Sequence, residues 1–267
     1  AIIFSDILML PYGLGQHVQF EKNFGPKLGS IKIEEMLKVN EKDFIKKLNP
    51  IYKLINMTSK NKLLQNKDLF GFVGAPWTIL VYMINQMSPK KQLKKNFYND
   101  KILINRLIDL IIKFLKIHIM NQVKSGASII QIFDSWAGLV EEKNLESFIY
   151  KPTSEIVNFV KSLNVPVVCF PREIKDYKKF VEIVKPDVVN IDYNVDPKNI
   201  LKNIKIPVQG GLDPKILLGS RDILKKKVNE YMEIFKDHPY IFNLGHGVLP
   251  ETRPETVDYL VKMVKDY

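Results

Sequence analysis

The fold is decided by residues 188–214, which read VVNIDYNVDPKNILKNIKIPVQGGLDP. Two short apolar runs, Val188–Ile191 and Pro207–Gly210, flank a helical run that begins at Asp196-Pro197. Asp-Pro is typical of an N-cap followed by proline at the first helical position. The two apolar runs lack clean alternation of polar and apolar residues, as expected of parallel strands that are buried on both faces. The stretch therefore predicts two parallel strands joined by a helix.

The same succession of short apolar runs and longer helical runs extends along the chain. Further strands are predicted at Ala1–Leu8, Leu69–Gly74, Ser128–Phe133, Val165–Phe170 and Tyr240–Leu244. Further helices are predicted at residues 101–124 and 151–163, after Gly74, and from Asp213-Pro214 and Pro254 onward. No linker or low-complexity tract divides the chain, so we expect a single α/β domain over residues 1–267.

Two α/β architectures are compatible with this order of elements. A doubly wound sheet expects a glycine-rich phosphate loop after an early strand, and Gly71-Phe72-Val73-Gly74 has the wrong spacing for one. A barrel expects polar groups at the carboxyl ends of many different strands, and this chain has them. We therefore predict a (β/α)8 TIM-type barrel with about seven of its eight strands present.

The predicted strands end in polar or glycine-rich clusters. The clusters are Asp6, Gly74-Ala75-Pro76-Trp77-Thr78, Asp134-Ser135-Trp136, Pro171-Arg172, Asp192-Tyr193, Gln209-Gly210-Gly211 and Gly245-His246-Gly247. Most have an ordinary structural alternative. Asp6 is alternatively a buried loop cap, and Asp134 a cap of the next helix. Tyr82 is alternatively a core phenol, and Arg172 a cover for the barrel mouth. The glycines around His246 let the backbone approach another group closely.

The composition indicates a globular protein and argues against a nucleic-acid partner. The chain is 46% hydrophobic, which is too apolar for a disordered protein. Its net charge of +11 comes from 40 Lys and Arg against 29 Asp and Glu, but only four of the basic residues are Arg. Nucleic-acid binders favour Arg for bidentate and stacked contacts. Attraction of a polyanionic small molecule remains open.

Several other classes of site are excluded by the motifs that are missing. Cys169 is the only cysteine, which excludes an intramolecular disulfide and a site with two Cys ligands in one chain. The histidines lack metal-ligand spacing, and the sequence contains no nucleophile elbow. The apolar stretch 101–123 carries charged side chains and predicts an amphipathic helix, not a membrane span. We expect a cytoplasmic enzyme with no membrane partner.

Five segments carry a family resemblance. They are AIIFSDIL (1–8), GFVGAPWT (71–78), QIFDSWAG (131–138), VQGGLDP (208–214) and FNLGHGVLPET (242–252). In this order they resemble the uroporphyrinogen decarboxylase family, over the whole of residues 1–267. The resemblance implies a distorted (β/α)8 barrel, generally homodimeric, with no metal and no organic cofactor. Its reaction removes CO2 from the four acetate side chains of uroporphyrinogen to give coproporphyrinogen, in haem and chlorophyll precursor synthesis.

The resemblance also implies roles for individual residues. Asp6 matches a central aspartate that accepts hydrogen bonds from pyrrole N–H groups and stabilises a protonated pyrrole. Tyr82 matches a tyrosine near that aspartate, so Asp6 and Tyr82 are the expected catalytic residues. The further positions expected to contact substrate or line its cleft are Ser135, His246, Ile2, Phe4 and residues 74–78.

One part of the family pattern is not found in the chain. The family opens with about one further strand and an Arg-Gln-Ala-Gly-Arg-Tyr loop, whose arginines bind substrate carboxylates. The resemblance here begins after that loop, which agrees with seven predicted strands rather than eight. We therefore expect residues 1–267, expressed alone, to be inactive and poorly stable; robust decarboxylation would contradict this.

Three alternatives to an active decarboxylase remain open at this point. A corrinoid-linked methyltransferase of a related barrel family would use zinc with His and Cys ligands, and the single cysteine speaks against it. A truncated, inactive barrel would keep the same motifs without turnover. A nucleic-acid-binding module would show salt-sensitive retention of DNA or RNA and no porphyrinogen affinity.

Overall fold

The computed structural model describes residues 1–3, 5–22, 25–64, 66–89, 92–94 and 97–267. The strands are β1 (Val18–Glu21), β2 (Gly25–Leu28), β3 (Phe70–Gly74), β4 (Ile129–Asp134), β5 (Val167–Pro171), β6 (Val188–Ile191), β7 (Val208–Gly210) and β8 (Tyr240–Ile241). The α-helices are α1 (Met9–Gly13), α2 (Ile33–Met36), α3 (Glu41–Ser59), α4 (Pro76–Asn85), α5 (Lys101–Lys124), α6 (Lys151–Ser162), α7 (Tyr177–Val184), α8 (Pro197–Asn203), α9 (Arg221–Phe235) and α10 (Pro254–Lys265). Short 3₁₀ turns and one π-helical turn, Glu146–Tyr150, complete the connections.

A six-stranded parallel sheet forms the centre of the fold, in the order β3-β4-β5-β6-β7-β8. The predicted unit at residues 188–214 is confirmed as β6, α8 and β7, and the Asp196 carboxylate caps α8 by accepting from the Lys198 N–H at 3.0 Å. All residues of β5 and β6 are buried, which explains their continuous apolar sequences. The predicted helices at 101–124 and 151–163 are α5 and α6.

Buried amides show that this sheet curls. Gln209 of β7 donates from Nε2 to Asn190 Oδ1 at 2.6 Å and to Gln131 Oε1 at 3.4 Å. Gln131 lies on β4, three strands from β7 in the sheet order. In a flat sheet these strands would stand roughly 14 Å apart with parallel side chains, so the amides would not meet. The contact therefore requires barrel-like curvature.

Among the described residues of the expected strand Ala1–Leu8, pairing is limited to a single bridge. Ile2 pairs in parallel with Phe70, and the Phe70 N–H donates to the Ala1 carbonyl at 2.7 Å. The chain then turns at Asp6, whose φ of 100° lies outside the strand region. The Asp6 carboxylate accepts from the Leu8 N–H at 2.7 Å, and α1 follows. The prediction of about seven strands thus becomes six strands and a bridge, and in the described ranges the Ile2 and β8 edges do not pair to close a barrel.

A β-hairpin that the sequence analysis missed lies between α1 and α2. β1 and β2 pair antiparallel, and the Leu28 N–H donates to the Gln86 carbonyl at 2.7 Å. This contact joins the hairpin to the residue that ends α4. The signal was present as the Gly25-Pro26 pair after an alternating Val-Gln-Phe-Glu run, but the strands are only four residues long.

Most buried side chains belong to one large core between the sheet and helices α1 to α9. A smaller cluster lies where α9 and α10 pack, and includes Leu224, Val228 and Leu260. Within the described part of the chain, no helix is long and apolar enough to cross a membrane.

Candidate active site at the carboxyl ends of the strands

Because the six strands are parallel, the residues that follow them meet at one edge of the sheet. Backbone hydrogen bonds join the first three connections there. The Ala75 N–H donates to the Phe133 carbonyl at 2.8 Å, and the Arg172 N–H donates to the Asp134 carbonyl at 3.1 Å. The Gly138 N–H then donates to the Arg172 carbonyl at 3.1 Å. The segments after β3, β4 and β5 therefore form one continuous rim.

Asp6 lies beside the end of β3. A Cβ atom added to Gly74, the last residue of β3, would lie 3.1 Å from the Cβ of Ile7. The Asp6 carboxyl is half-buried, and burial raises its pKa, while the hydrogen bond from the Leu8 N–H lowers it. The alternative interpretation of Asp6 as a loop cap is thus partly correct, since the side chain holds a turn and also lies at the rim.

Tyr82 projects from α4 towards the same place. Its ring packs edge-on against Trp136, with centroids 6.0 Å apart. Burial raises the pKa of the Tyr82 hydroxyl, Asp6 also raises it through its negative charge, and the side chains of Trp136 and Ser88 act in the opposite direction. The structure therefore brings the predicted pair Asp6 and Tyr82 within electrostatic reach of each other.

A buried network behind this pair was not identified from the sequence. The Thr78 hydroxyl donates to Asp134 Oδ1 at 2.6 Å and accepts from the Trp136 N–H at 3.1 Å. The Trp77 indole donates to the Trp136 carbonyl at 2.8 Å. Asp134 thus caps the start of α4 through Thr78, rather than the helix that follows it in sequence. The residues were visible as strand-end polar groups, but their pairing across two strands was not.

Asp134 is the most strongly perturbed acid at the rim. It is 3% exposed, and burial raises its pKa to about 7 against hydrogen bonds from the Thr78 hydroxyl and N–H. Within the described residues, its Oδ2 atom has no hydrogen-bond partner. A buried carboxyl with one satisfied oxygen is costly to ionise, which explains the direction of the shift.

The remaining residues that are expected to contact substrate or line its cleft near β3 and β4 differ in their exposure to solvent. Ser135 is half-buried in the turn between Asp134 and Trp136. Ile2 is 53% exposed, at the edge of the sheet beside Phe70. Phe4 lies outside the described residues, so its expected position in the cleft stays a prediction.

Arg172 follows β5 and has an enclosed side chain. The side chain is 17% exposed, and Nη2 forms an ion pair with Glu173 Oε1 at 2.8 Å. Glu173 has a φ of 61°, and its N–H donates to Asp192 Oδ2 at 2.8 Å. A left-handed glutamate held by a buried carboxylate indicates that the backbone around Arg172 is fixed.

The charge of Arg172 acts on the imidazole of His246. Although the residue is exposed to solvent, desolvation lowers the pKa of its imidazole, and the charge of Arg172 lowers it further. The Gly247 backbone and the charges of Glu173 and Asp192 act in the opposite direction. His246 and Arg172 therefore form a second group at the rim.

The glycine before His246 explains how it is placed. A Cβ atom on Gly245 would overlap the backbone of Asp192 and Tyr193, and the Gly245 N–H donates to the Leu212 carbonyl at 2.7 Å. The prediction of a close backbone approach is thus confirmed for Gly245. It is wrong for Gly247, since no described residue comes within 4 Å of a Cβ atom added there.

Asp192 has a structural part in this arrangement. It is 1% exposed and accepts from the Glu173 N–H, the Tyr177 hydroxyl and the Asn194 N–H. With both oxygens engaged, this carboxylate fixes the loops after β5 and β6 rather than facing a ligand.

The described part of the chain contains no group of three or more His, Cys, Asp or Glu side chains that could hold a metal ion. Cys169 is buried on β5, and burial raises its thiol pKa. His118 is buried against the Tyr52 hydroxyl at 3.0 Å, and burial lowers its pKa to about 4. Cys169 and His118, whose side chains are of the types that a zinc site recruits, are thus core residues here.

Comparison with known proteins shows the family of this chain. The family described as uroporphyrinogen decarboxylase (URO-D) matches residues 1–267. The chain belongs to the uroporphyrinogen decarboxylase family. Uroporphyrinogen decarboxylase of Rickettsia bellii (strain RML369-C) is 40% identical over 273 residues, which cover 100% of this chain and 80% of that protein. The corresponding Rickettsia felis protein (strain ATCC VR-1525 / URRWXCal2) is 38% identical, with coverages of 100% and 79%.

Solved structures support the fold assignment. A methyltransferase from Methanosarcina mazei superposes with a TM-score of 0.79 at 18% identity, over 100% of this chain and 80% of that one. A putative vitamin-B12 independent methionine synthase from Listeria monocytogenes gives a TM-score of 0.52 at 16% identity, over 81% and 69%. At these identities the likeness concerns the fold alone. The sequence match assigns the chain to the uroporphyrinogen decarboxylase family rather than to a methyltransferase family.

Proposed function

We propose that this rim decarboxylates the acetate side chains of uroporphyrinogen to give coproporphyrinogen. The observation that carries the proposal is the position of Asp6, a half-buried carboxyl near Tyr82 at the carboxyl ends of parallel strands. The match of residues 1–267 to the uroporphyrinogen decarboxylase family supports this proposal. That edge is where barrel enzymes of this class build their active sites.

Loss of CO2 requires an electron sink, and a fixed negative charge stabilises the cation that provides it. A proton added to a pyrrole carbon makes the ring cationic, and the electrons of the breaking C–C bond then flow into the ring as CO2 leaves. A second proton adds to the resulting methylene carbon, and the ring loses the first, which leaves a methyl group. Asp6 accepts hydrogen bonds from pyrrole N–H groups and stabilises the cation. This stabilisation is stronger in a site that excludes water.

The remaining rim residues orient the substrate in this proposal. Tyr82 places its hydroxyl near the reacting acetate, on a ring held by Trp136. Ser135 and His246 contact substrate side chains, and Ile2 lines the cleft, a role that the family resemblance also implies for Phe4. No step of the scheme needs a metal or an organic cofactor.

We also propose that the chain forms a single domain in a cytoplasmic homodimer, on the basis of the family resemblance. Light scattering after size exclusion checks the assembly, with twice the mass of one chain as the expected value. A single cooperative unfolding transition, observed by two probes, checks the domain assignment.

Turnover of uroporphyrinogen tests the function. Two proteins are compared: residues 1–267, and an extended protein in which these residues are joined to the part of the Rickettsia bellii relative that the match leaves uncovered. Products are oxidised and separated as porphyrins. We expect coproporphyrin from the extended protein and little from residues 1–267. A folded extended protein that forms no decarboxylated product would overturn the proposal.

A further inference from the structure

Arg172 is held at the rim from both sides of its backbone. Its N–H donates to the Asp134 carbonyl and its carbonyl accepts from the Gly138 N–H, each at 3.1 Å. Gly138 leaves no room for a side chain, because an added Cβ would lie 2.6 Å from the Cβ of Glu173. The position of the Arg172 backbone is therefore set by the fold.

The guanidinium has more donors than the protein uses. Arginine carries five N–H donors. One ion pair is formed, from Nη2 to Glu173 Oε1, and Nε is buried without a hydrogen-bond partner among the described residues. Glu173 is itself 44% exposed, so solvent weakens its hold on the cation. The exposed part of the guanidinium can donate to an additional anion.

The surroundings of Arg172 favour a carboxylate as that anion. His246 follows Gly245, which packs against the backbone of Asp192. The Asp192 carboxylate accepts from the N–H of Glu173, the residue after Arg172, so the two loops meet here. A carboxylate bound at this point would accept hydrogen bonds from both Arg172 and His246. Asp192 is nearby but already accepts three hydrogen bonds, so it does not fill this role.

We propose that Arg172 binds a substrate carboxylate at the rim, together with His246. Until substrate binds, Glu173 forms an ion pair with the Arg172 guanidinium. This inference rests on the proposed function for the identity of the ligand, a tetrapyrrole with carboxylate side chains. It adds a binding residue that the motif of the family arginine loop does not include.

Binding of uroporphyrin, the stable oxidised octacarboxylate, tests the proposal on the extended protein by fluorescence. We expect Arg172→Gln to weaken binding about 10- to 100-fold, as for loss of hydrogen bonds to a charged group. Arg172→Lys retains the charge and should lose less than about tenfold. Arg106→Gln is the matched control, because Arg106 also pairs through Nη2 with one glutamate, Glu34 at 2.9 Å, but lies on α5. It should bind like wild type.

Glu173→Gln provides a second test that leaves the Arg172 side chain in place. Removing the internal carboxylate frees the guanidinium, so uroporphyrin should bind a few-fold more tightly. In the same series, NMR titration should show the His246 pKa rising in Arg172→Gln and falling in Glu173→Gln.

The outcomes separate this proposal from the proposed function. Undetectable uroporphyrin binding by the wild type, or equal affinities of wild type, Arg172→Gln and Arg106→Gln with an unchanged His246 pKa, would overturn the role of Arg172. Arg172-dependent binding in an extended protein that forms no coproporphyrin would support the carboxylate site and overturn the proposed reaction.

Discussion

Two groups of residues at the rim differ in what shifts their pKa values. On the acid side, formed by Asp6, Tyr82 and Asp134 around the ends of β3 and β4, burial raises the pKa of each group. On the cation side, formed by Arg172 and His246, the neighbouring guanidinium lowers the pKa of the imidazole. From this difference we infer that the acid side stabilises the protonated pyrrole ring and that the cation side binds substrate carboxylates.

The largest expected effect comes from removing the charge at the centre of the acid side. Asp6→Asn keeps an oxygen that can accept from Leu8 but cannot stabilise a pyrrole cation. In the extended protein, kcat should fall about 10²- to 10³-fold, by analogy with the loss of one transition-state contact. Uroporphyrin affinity should change less than about threefold. An unchanged kcat would show that the acid side is not catalytic.

Asp134→Asn tests whether the acid side contains a buried carboxyl that is neutral in the folded protein. The folded pKa of about 7 exceeds the unfolded value, so wild-type stability falls as pH rises from about 4 to about 7. The neutral asparagine escapes this loss. Its advantage in unfolding free energy should therefore grow by roughly 2–3 kcal/mol between pH 5 and pH 8, measured by denaturant titration. A constant difference across this range contradicts a buried, neutral Asp134.

Gly245→Ala tests how the cation side is positioned. A methyl group here collides with the backbone of Asp192 and Tyr193, so the loop carrying His246 must shift. We expect a loss of about 2 kcal/mol in unfolding free energy and weaker uroporphyrin binding. Gly247→Ala is the control, because in the described part of the chain nothing lies within 4 Å of its added Cβ. Equal effects of the two substitutions would remove the steric argument.

Tyr82→Phe should have the smallest effect. The ring still packs on Trp136, and only the hydroxyl near Asp6 is lost. We expect kcat to fall about tenfold, as for one neutral hydrogen bond, with unchanged thermal stability. A fall as large as that of Asp6→Asn would make Tyr82 a direct participant in proton transfer.

The sequence was most informative where chemistry is local. The β6–α8–β7 unit, its Asp196 cap and the approach of Gly245 all follow from neighbouring residues. It failed where a turn depends on one residue, as at Asp6, which ends the expected first strand after a single bridge. The Thr78–Asp134 pair and the Arg172–His246 group join residues far apart in the chain, so only the assembled sheet brings them together.

The central claim is that the two sides of the rim act separately, and steady-state kinetics of the extended protein test it most directly. Asp6→Asn, Arg172→Gln and the double variant are compared with wild type for uroporphyrinogen decarboxylation. The account predicts that Asp6→Asn lowers kcat with KM nearly unchanged, that Arg172→Gln raises KM about 10- to 100-fold with kcat within about threefold, and that the two effects combine independently. If both substitutions change the same constant, or if Arg172→Gln leaves KM unchanged, the division between the two sides is contradicted.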